Sequence, residues 1–244
     1  MRIVEHDKPK LAKITMNCDG AIDPKLETHG EAVKVCFSRP NFTIFSGGMG
    51  SGKTSFMISM LKGALRKTHH DIFVIIPEIS LHSISDKDNI FSKHLDEDHL
   101  YHEYNESTLN EIYEKCKTNA EQDLYSMLII DDFGSQMKSD KKSELILQRF
   151  ITKMRHLKLG QIWILTQNYF QMPKKLRELA TNIVLWNTSK SQNKKLFEEQ
   201  FQIKEKEFDE LMKHCPTIHD WVLLNLKYKR IFNKNWDEIL FEDN

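Results

Sequence analysis

Residues 47–54 read Gly-Gly-Met-Gly-Ser-Gly-Lys-Thr, a complete G-x-x-x-x-G-K-[ST] pattern that follows the apolar run Phe42-Thr43-Ile44-Phe45. Glycines at this spacing let successive backbone N–H groups turn inward around a polyphosphate, and a helix starting at Lys53 adds the partial positive charge of its N-terminus. Gly47, Gly48, Met49, Gly50, Ser51, Gly52, Lys53, Thr54 and Ser55 are therefore the expected nucleotide contacts. Lys53 is expected to reach the β- and γ-phosphates of ATP and Thr54 to ligate Mg²⁺. At average residue usage the pattern arises by chance in a chain of this length with probability on the order of 1%. The preceding strand and following helix lower that further.

A second signal lies about eighty residues on, where Met127-Leu128-Ile129-Ile130 ends in Asp131-Asp132. Asp131 is placed to hold the shell of the Mg²⁺, and Asp132 to polarise the water that attacks the γ-phosphate. Taken alone, such acids are also common as caps of the next helix. A tandem carboxylate at this point separates the chain from GTPases and small-molecule kinases, which generally lack the second acid. The third signal is Trp163-Ile164-Leu165-Thr166-Gln167, another apolar strand with an amide at its C-terminal end, the edge at which parallel sheets bind ligands. Gln167 either senses the γ-phosphate and orients the water, or caps the next turn.

Five short runs (42–45, 72–76, 127–130, 162–165 and 183–186) are apolar on both faces, as strands of a parallel sheet covered by helices on both sides must be. Helical patterns alternate with them at 53–67, 108–117, 141–158 and 174–180, which predicts a three-layer α/β fold. The alternating Ala32-Val33-Lys34-Val35-Cys36-Phe37 predicts an antiparallel edge strand in an N-terminal arm, 1–38. A core follows at 39–190. Residues 191–244 read as an elaboration with a helix at 204–214 and strands at 221–228 and 230–232.

Lys and Arg total 35 and balance 35 Asp and Glu, but the charges are not evenly spread. Residues 86–123 carry eleven acidic and four basic side chains, whereas 138–158 carry seven basic and two acidic. One face can thus meet phosphates despite zero net charge, although a solvated helix face gives the same signature. Lys138, Lys141, Lys142, Lys174 and Lys175 are the candidate nucleic-acid contacts, because each group follows a strand of the nucleotide edge. Contacts of this kind are sequence-independent and salt-sensitive. The four cysteines, at 18, 36, 116 and 215, form no C-x-x-C pair, and the histidines near Cys116 match no ligand spacing, so neither a zinc site nor a disulfide framework is indicated. The sequence carries no signal-peptide pattern and no apolar run of ~18–20 residues, so a cytoplasmic location is expected.

These signals, with Met154-Arg155-His156 before the third strand and Met172-Pro173-Lys174-Lys175-Leu176-Arg177 after it, resemble the FtsK–HerA superfamily over roughly residues 41–187. More narrowly they resemble the genome-packaging ATPases of large nucleocytoplasmic DNA viruses and virophages. The resemblance implies a P-loop NTPase of the additional-strand, catalytic-acid type with a mostly parallel central sheet. It further implies a homo-oligomeric ring that hydrolyses ATP between subunits and pumps double-stranded DNA into a capsid at a vertex or portal, in host cytoplasm, a viral factory or the virion. The superfamily commonly has Asp-Glu where this chain has Asp131-Asp132, so the second acid is one methylene shorter. With only seven arginines in the chain, Arg155 is the first candidate for a finger acting on a neighbour's γ-phosphate and Arg177 the second, each set against an ordinary surface ion pair. AAA+-like or plasmid-transfer DNA ATPases share the three main signals. A nucleotide kinase would need an Arg-rich lid, which seven scattered arginines hardly supply.

Overall fold

Strands apolar on both faces need cover on both sides, and in the computed structural model all five predicted runs lie in one sheet. The structure describes residues 2–4, 30–65, 68–81, 84, 89–91, 95 and 97–240. Most of the expected N-terminal arm, the end of the first predicted helix at 66–67 and Cys18 lie outside them. The strands are β1 (Arg2–Val4), β2 (Asn41–Ser46), β3 (Asp71–Ile75), β4 (Leu100–Tyr101), β5 (Ser126–Asp131), β6 (Leu159–Thr166), β7 (Asn182–Trp186), β8 (Trp221–Asn225), β9 (Arg230–Asn233) and β10 (Glu238–Leu240). Their order across the sheet is β1-β10-β9-β8-β7-β2-β6-β5-β3-β4. From β7 to β4 every neighbouring pair is parallel. From β7 outward through β8, β9 and β10 to β1 every pair is antiparallel.

The helices are α1 (Glu31–Phe37), α2 (Lys53–Lys62), α3 (Glu78–Leu81), α4 (Glu106–Glu121), α5 (Gly134–Ser139), α6 (Lys141–Thr152), α7 (Lys174–Arg177), α8 (Lys190–Phe201) and α9 (Glu205–Met212). Side chains alternate across each strand, so the sheet has two separate cores. Ile44, Leu128, Ile130, Ile162 and Ile164 pack with α4, α6, α8 and α9 on one face. Phe45, Met127, Ile129, Trp163 and Trp186 pack with α1 and α2 on the other. Among the described residues no helix is long and apolar enough to cross a membrane.

The edge strand predicted at 32–37 is corrected by the structure: this segment is helix α1. Ala32, Val33, Cys36 and Phe37 are buried while Lys34 is exposed. That spacing of i, i+1, i+4 and i+5 is one helical face, which a six-residue window also reads as alternation. The antiparallel edge strand is β1, against β10.

A helix end leaves carbonyls without partners, and here buried amides from four adjacent strands receive those of α1. Gln161 of β6 donates to Phe37 O at 2.6 Å, Asn41 of β2 to Cys36 O at 2.6 Å, and Asn225 of β8 to Val35 O at 3.4 Å. Asn182 of β7 donates to the Cys36 carbonyl as well as to Asn41 Oδ1 at 3.0 Å, and accepts from Asn225 at 2.8 Å. The network joins the parallel sheet to its antiparallel extension at the N-terminal ends of the parallel strands and the C-terminal end of β8. Replacing the central amide, Asn182→Leu, strands buried donors and acceptors on three elements, each costing ~1–3 kcal/mol. The expected result is a loss of about 2–4 kcal/mol in urea unfolding; an unchanged midpoint would show that the network adds nothing to stability.

Candidate functional site

Parallel register sets the site. Ser46 of β2 lies opposite Thr166 of β6, and Leu165 of β6 opposite Asp131 of β5, so three strands end at one level. Backbone bonds knit these ends: Gly47 N–H donates to Thr166 O at 3.2 Å and Asp132 N–H to Leu165 O at 3.1 Å. The loop of residues 47–52 leaves this edge and turns into α2. Gly50 and Gly52 have φ of +72° and +104°, conformations that other residues rarely adopt. Gly47 is required for a different reason: a Cβ there would sit 2.7 Å from Ser51 Oγ and 2.8 Å from Trp186 Cβ. Trp186, at the end of β7, is thus the floor of the loop.

Lys53 Nζ folds back onto the loop, donating to Gly47 O at 2.6 Å and Gly48 O at 3.0 Å. Burial lowers its pKa, and the negative charges of Asp131 and Asp132 oppose the shift. Asp131 is buried, and its carboxyl is pushed up to about 7. Burial is the main cause and Asp132 the second, against the pull of Lys53 and a hydrogen bond with Thr54. Thr54 and Asp131, predicted to share a cation, are therefore in contact. Asp132 is exposed, adopts φ +63°, and accepts a hydrogen bond from Gln167 Nε2 at 3.1 Å. Two residues further, a Cβ on Gly134 would lie 2.5 Å from Thr166 Oγ1, so α5 starts pressed against the end of β6.

The residues fit a Mg²⁺–nucleotide. Ser51 Oγ is buried in the loop with no hydrogen-bond partner, and α2 begins without an acidic side chain in its first turn. Thr54 and Asp131 supply the oxygen donors a hard cation takes. Ser55 is exposed on the first turn of α2, and Met49 stands 87% exposed at the loop's tip.

The two arginines lie elsewhere. Arg155 is exposed in the turn between α6 and β6, at the N-terminal end of the strand. The eight residues of β6 separate it from its own phosphate loop by roughly 26 Å, so it has no role there in cis. Arg177 is taken up within its own chain: it pairs with Glu199 at 3.2 Å, lies 4.9 Å from the ring centres of Tyr169 and Phe170, and its side chain is 11% exposed. This corrects its candidacy as a finger, since a guanidinium held this way anchors α7 to α8. Among the lysines, Lys141 pairs with Glu144, Lys142 with Glu106 and Lys174 with Glu178. Lys138 and Lys175 are exposed and have no ion pair among the described residues.

Sequence reasoning missed Trp186 and Thr188, whose Oγ1 accepts from Gly48 N–H at 2.9 Å. The signal was present: both sit at the C-terminal end of an apolar strand, where parallel sheets place ligand-site residues.

A family model described as Poxvirus A32 protein matches residues 36–221. Comparison with curated proteins finds no match. Among solved structures, the DNA-packaging ATPase B204 from Sulfolobus turreted icosahedral virus is similar with a TM-score of 0.61 at 15% identity, over 84% of this chain and 100% of that one. The genome packaging NTPase B204 from Sulfolobus turreted icosahedral virus 2, in complex with ATP-gammaS, gives 0.56 at 14% identity over 79% and 95%. EssC (ATPases 2 and 3) from Geobacillus thermodenitrificans gives 0.51 at 12% identity over 84% and 40%. At these identities the likeness is one of fold.

The contact of Gly47 with Trp186 generates a prediction. Gly47→Ala adds one methyl where the Ser51 hydroxyl and the Trp186 side chain leave no room, and overpacking of this size costs ~1–3 kcal/mol. The loop is expected to shift off Trp186 and nucleotide affinity to fall about 10- to 100-fold. Titration followed by tryptophan fluorescence measures it, and unchanged affinity would show that the close approach is not needed.

Proposed function

The chain belongs to the Poxvirus A32 protein family, and from that membership we propose that it is a viral genome-packaging ATPase, hydrolysing ATP to drive double-stranded DNA into a capsid. The observation that carries the reading is the convergence of Lys53, Thr54, Asp131, Asp132 and Gln167 at the C-terminal ends of β2, β5 and β6. Two solved structures of similar fold are described as a DNA-packaging ATPase and a genome packaging NTPase, the second holding a nucleotide analogue.

The chemistry follows from the positions. Thr54 and Asp131 would hold the Mg²⁺ of a bound ATP, which would supply Lewis-acid charge for the transferring phosphoryl group. Lys53 exchanges its bonds to the Gly47 and Gly48 carbonyls for phosphate oxygens and neutralises charge there. Asp132, on the exposed side of the edge, takes the proton of a water as the water's oxygen bonds to the γ-phosphorus and the bond to the ADP oxygen breaks. Gln167 holds that carboxylate in place through Oδ1. The left-handed backbone at Asp132 turns its side chain away from the buried direction of Asp131, so the two adjacent acids divide metal binding and base catalysis between them.

Duplex DNA is held by phosphate contacts that carry no sequence information. Lys138 and Lys175 stand on segments leaving the nucleotide edge, and Lys141, Lys142 and Lys174 exchange carboxylate partners for phosphates there. A homo-oligomeric ring places the exposed Arg155 at the disposal of a neighbouring subunit, since its own loop is out of reach. Host cytoplasm, viral factory and virion all suit such a motor.

Two variants test the ATPase assignment. Lys53→Ala is expected to abolish measurable ATP binding or turnover. Asp132→Asn should bind ATP with little change yet hydrolyse it ~10²–10⁴-fold more slowly, because an amide cannot accept the proton. Normal turnover by Asp132→Asn would move the base elsewhere. Shared hydrolysis is tested by mixing. Arg155→Ala alone should bind ATP but turn over ~10³–10⁵-fold more slowly, and adding Lys53→Ala subunits should restore activity, one variant supplying the cradle and the other the arginine. Absence of rescue would rule out Arg155 as the trans-acting group.

A further inference from the structure

The phosphate loop has two sides, and its surroundings differ. Asp131 and Asp132 lie on β5, beyond β6, so the γ-phosphate end of a bound nucleotide faces that side. The nucleoside must then leave on the other side, over β7 and β8. There the antiparallel extension sends a loop, residues 215–220, to the site. Asn187 N–H donates to Asp220 O at 3.2 Å and Asn187 Nδ2 to Cys215 O at 2.6 Å, which ties the loop to the end of β7. His219 Nδ1 lies 3.4 Å from Ser51 O, which ties it to the phosphate loop itself.

The 215–220 loop is pre-formed. Asp220 is 1% exposed, accepts from Thr217 N–H at 2.8 Å and Thr217 Oγ1 at 2.9 Å, and pairs with Lys234. Although burial opposes its charge, the bonds from Lys234 and Thr217 hold its carboxyl below the usual range. His219 N–H donates to Thr217 Oγ1 at 3.3 Å. This turn nevertheless holds Ile218 52% exposed, next to an exposed imidazole that reaches the phosphate loop at Ser51. A fixed turn presenting an aliphatic and a planar side chain to solvent beside a phosphate cradle suits a flat, partly apolar group attached to a polyphosphate.

We propose that Ile218 and His219 form the shelf that receives the base of the bound nucleoside triphosphate, His219 by stacking and Ile218 by apolar contact. The proposal rests on the nucleotide reading of residues 47–54 and deepens it. The shelf reads the area of the base rather than its hydrogen-bonding pattern, and the phosphates are held independently of it.

The test compares ATP with inorganic tripolyphosphate, both with Mg²⁺, by calorimetric titration of the full chain. Stacking on a single side chain is worth about a 10-fold change in affinity. His219→Ala and Ile218→Ser are each expected to weaken ATP by about that factor and to leave tripolyphosphate unchanged. His219→Phe keeps a stacking face without the ring nitrogen, and should retain ATP affinity. Both side chains are exposed, so thermal unfolding of the variants should match the parent. Equal losses for ATP and tripolyphosphate would overturn the shelf in favour of a role in shaping the phosphate loop. Unchanged ATP affinity in both variants, or a His219→Phe as weak as His219→Ala, would also overturn it. A parent chain that binds neither ligand would overturn the nucleotide reading itself, which separates the two failures.

Discussion

The register of three parallel strands is the constraint on which the rest of this structure depends. Because β2, β6 and β5 end level with one another, the phosphate loop, Gln167 and the Asp131-Asp132 pair leave the sheet at one edge. A one-residue slip of β5 against β6 would turn each of its side chains to the opposite face. Asp131 would leave the side of Thr54, and Ile130 or Asp132 would take its place. The continuous apolar runs fix the pairing from below, and the backbone bonds from Gly47 to Thr166 and from Asp132 to Leu165 fix it at the edge itself. Catalytic geometry here is a by-product of the packing of the sheet.

Charge is then distributed by depth at that edge. Burial and the neighbouring Asp132 push the Asp131 carboxyl up, and burial lowers the pKa of Lys53, which leans on loop carbonyls. Neither group is comfortable in its present surroundings. A bound polyphosphate and a cation held by Thr54 and Asp131 would supply the opposite charges and offset the cost of burying both groups. Asp132, one residue on, is exposed with a left-handed backbone, and Gln167 reaches it there.

Much of the central site was legible in the sequence, for a physical reason: a phosphate cradle needs a fixed spacing of glycine and lysine, and buried parallel strands need uninterrupted apolar runs. Both are local patterns. The family resemblance read from these motifs agrees with the A32 family match over residues 36–221. What escaped the sequence was long-range. Residues 32–37 fit a strand as well as a helix locally, and the amides that receive the end of helix α1, at Asn41, Gln161, Asn182 and Asn225, are scattered over nearly two hundred residues. The sequence left Arg177 open between a finger and an ion pair because Glu199, Tyr169 and Phe170, which enclose it, are brought to it only by the packing of α7 against α8 and the turn after β6. Trp186 read as one more apolar strand residue, with no local sign that Gly47 rests on it.

The antiparallel extension shows why segments outside the recognisable motifs still belong to the nucleotide site. All four tryptophans of the chain gather beneath α2, and three of them come from β7 or the extension: Trp186, Trp221 and Trp236 surround Phe56, with ring centres 5.9, 4.9 and 6.0 Å away. Phe56 lies three residues beyond Lys53 on the same helix. The helix that carries Lys53 is therefore seated on strands β7 and β8 as much as on β2. Asp220 and Lys234, paired at the rim of this cluster, fix the loop whose His219 touches Ser51. A phosphate loop alone is a flexible run of glycines. Its shape is set from below by Trp186 and from the side by Thr188, and the helix that follows it rests on Trp221 and Trp236, so the strands beyond β7 support the phosphate loop through packing rather than through any motif of their own.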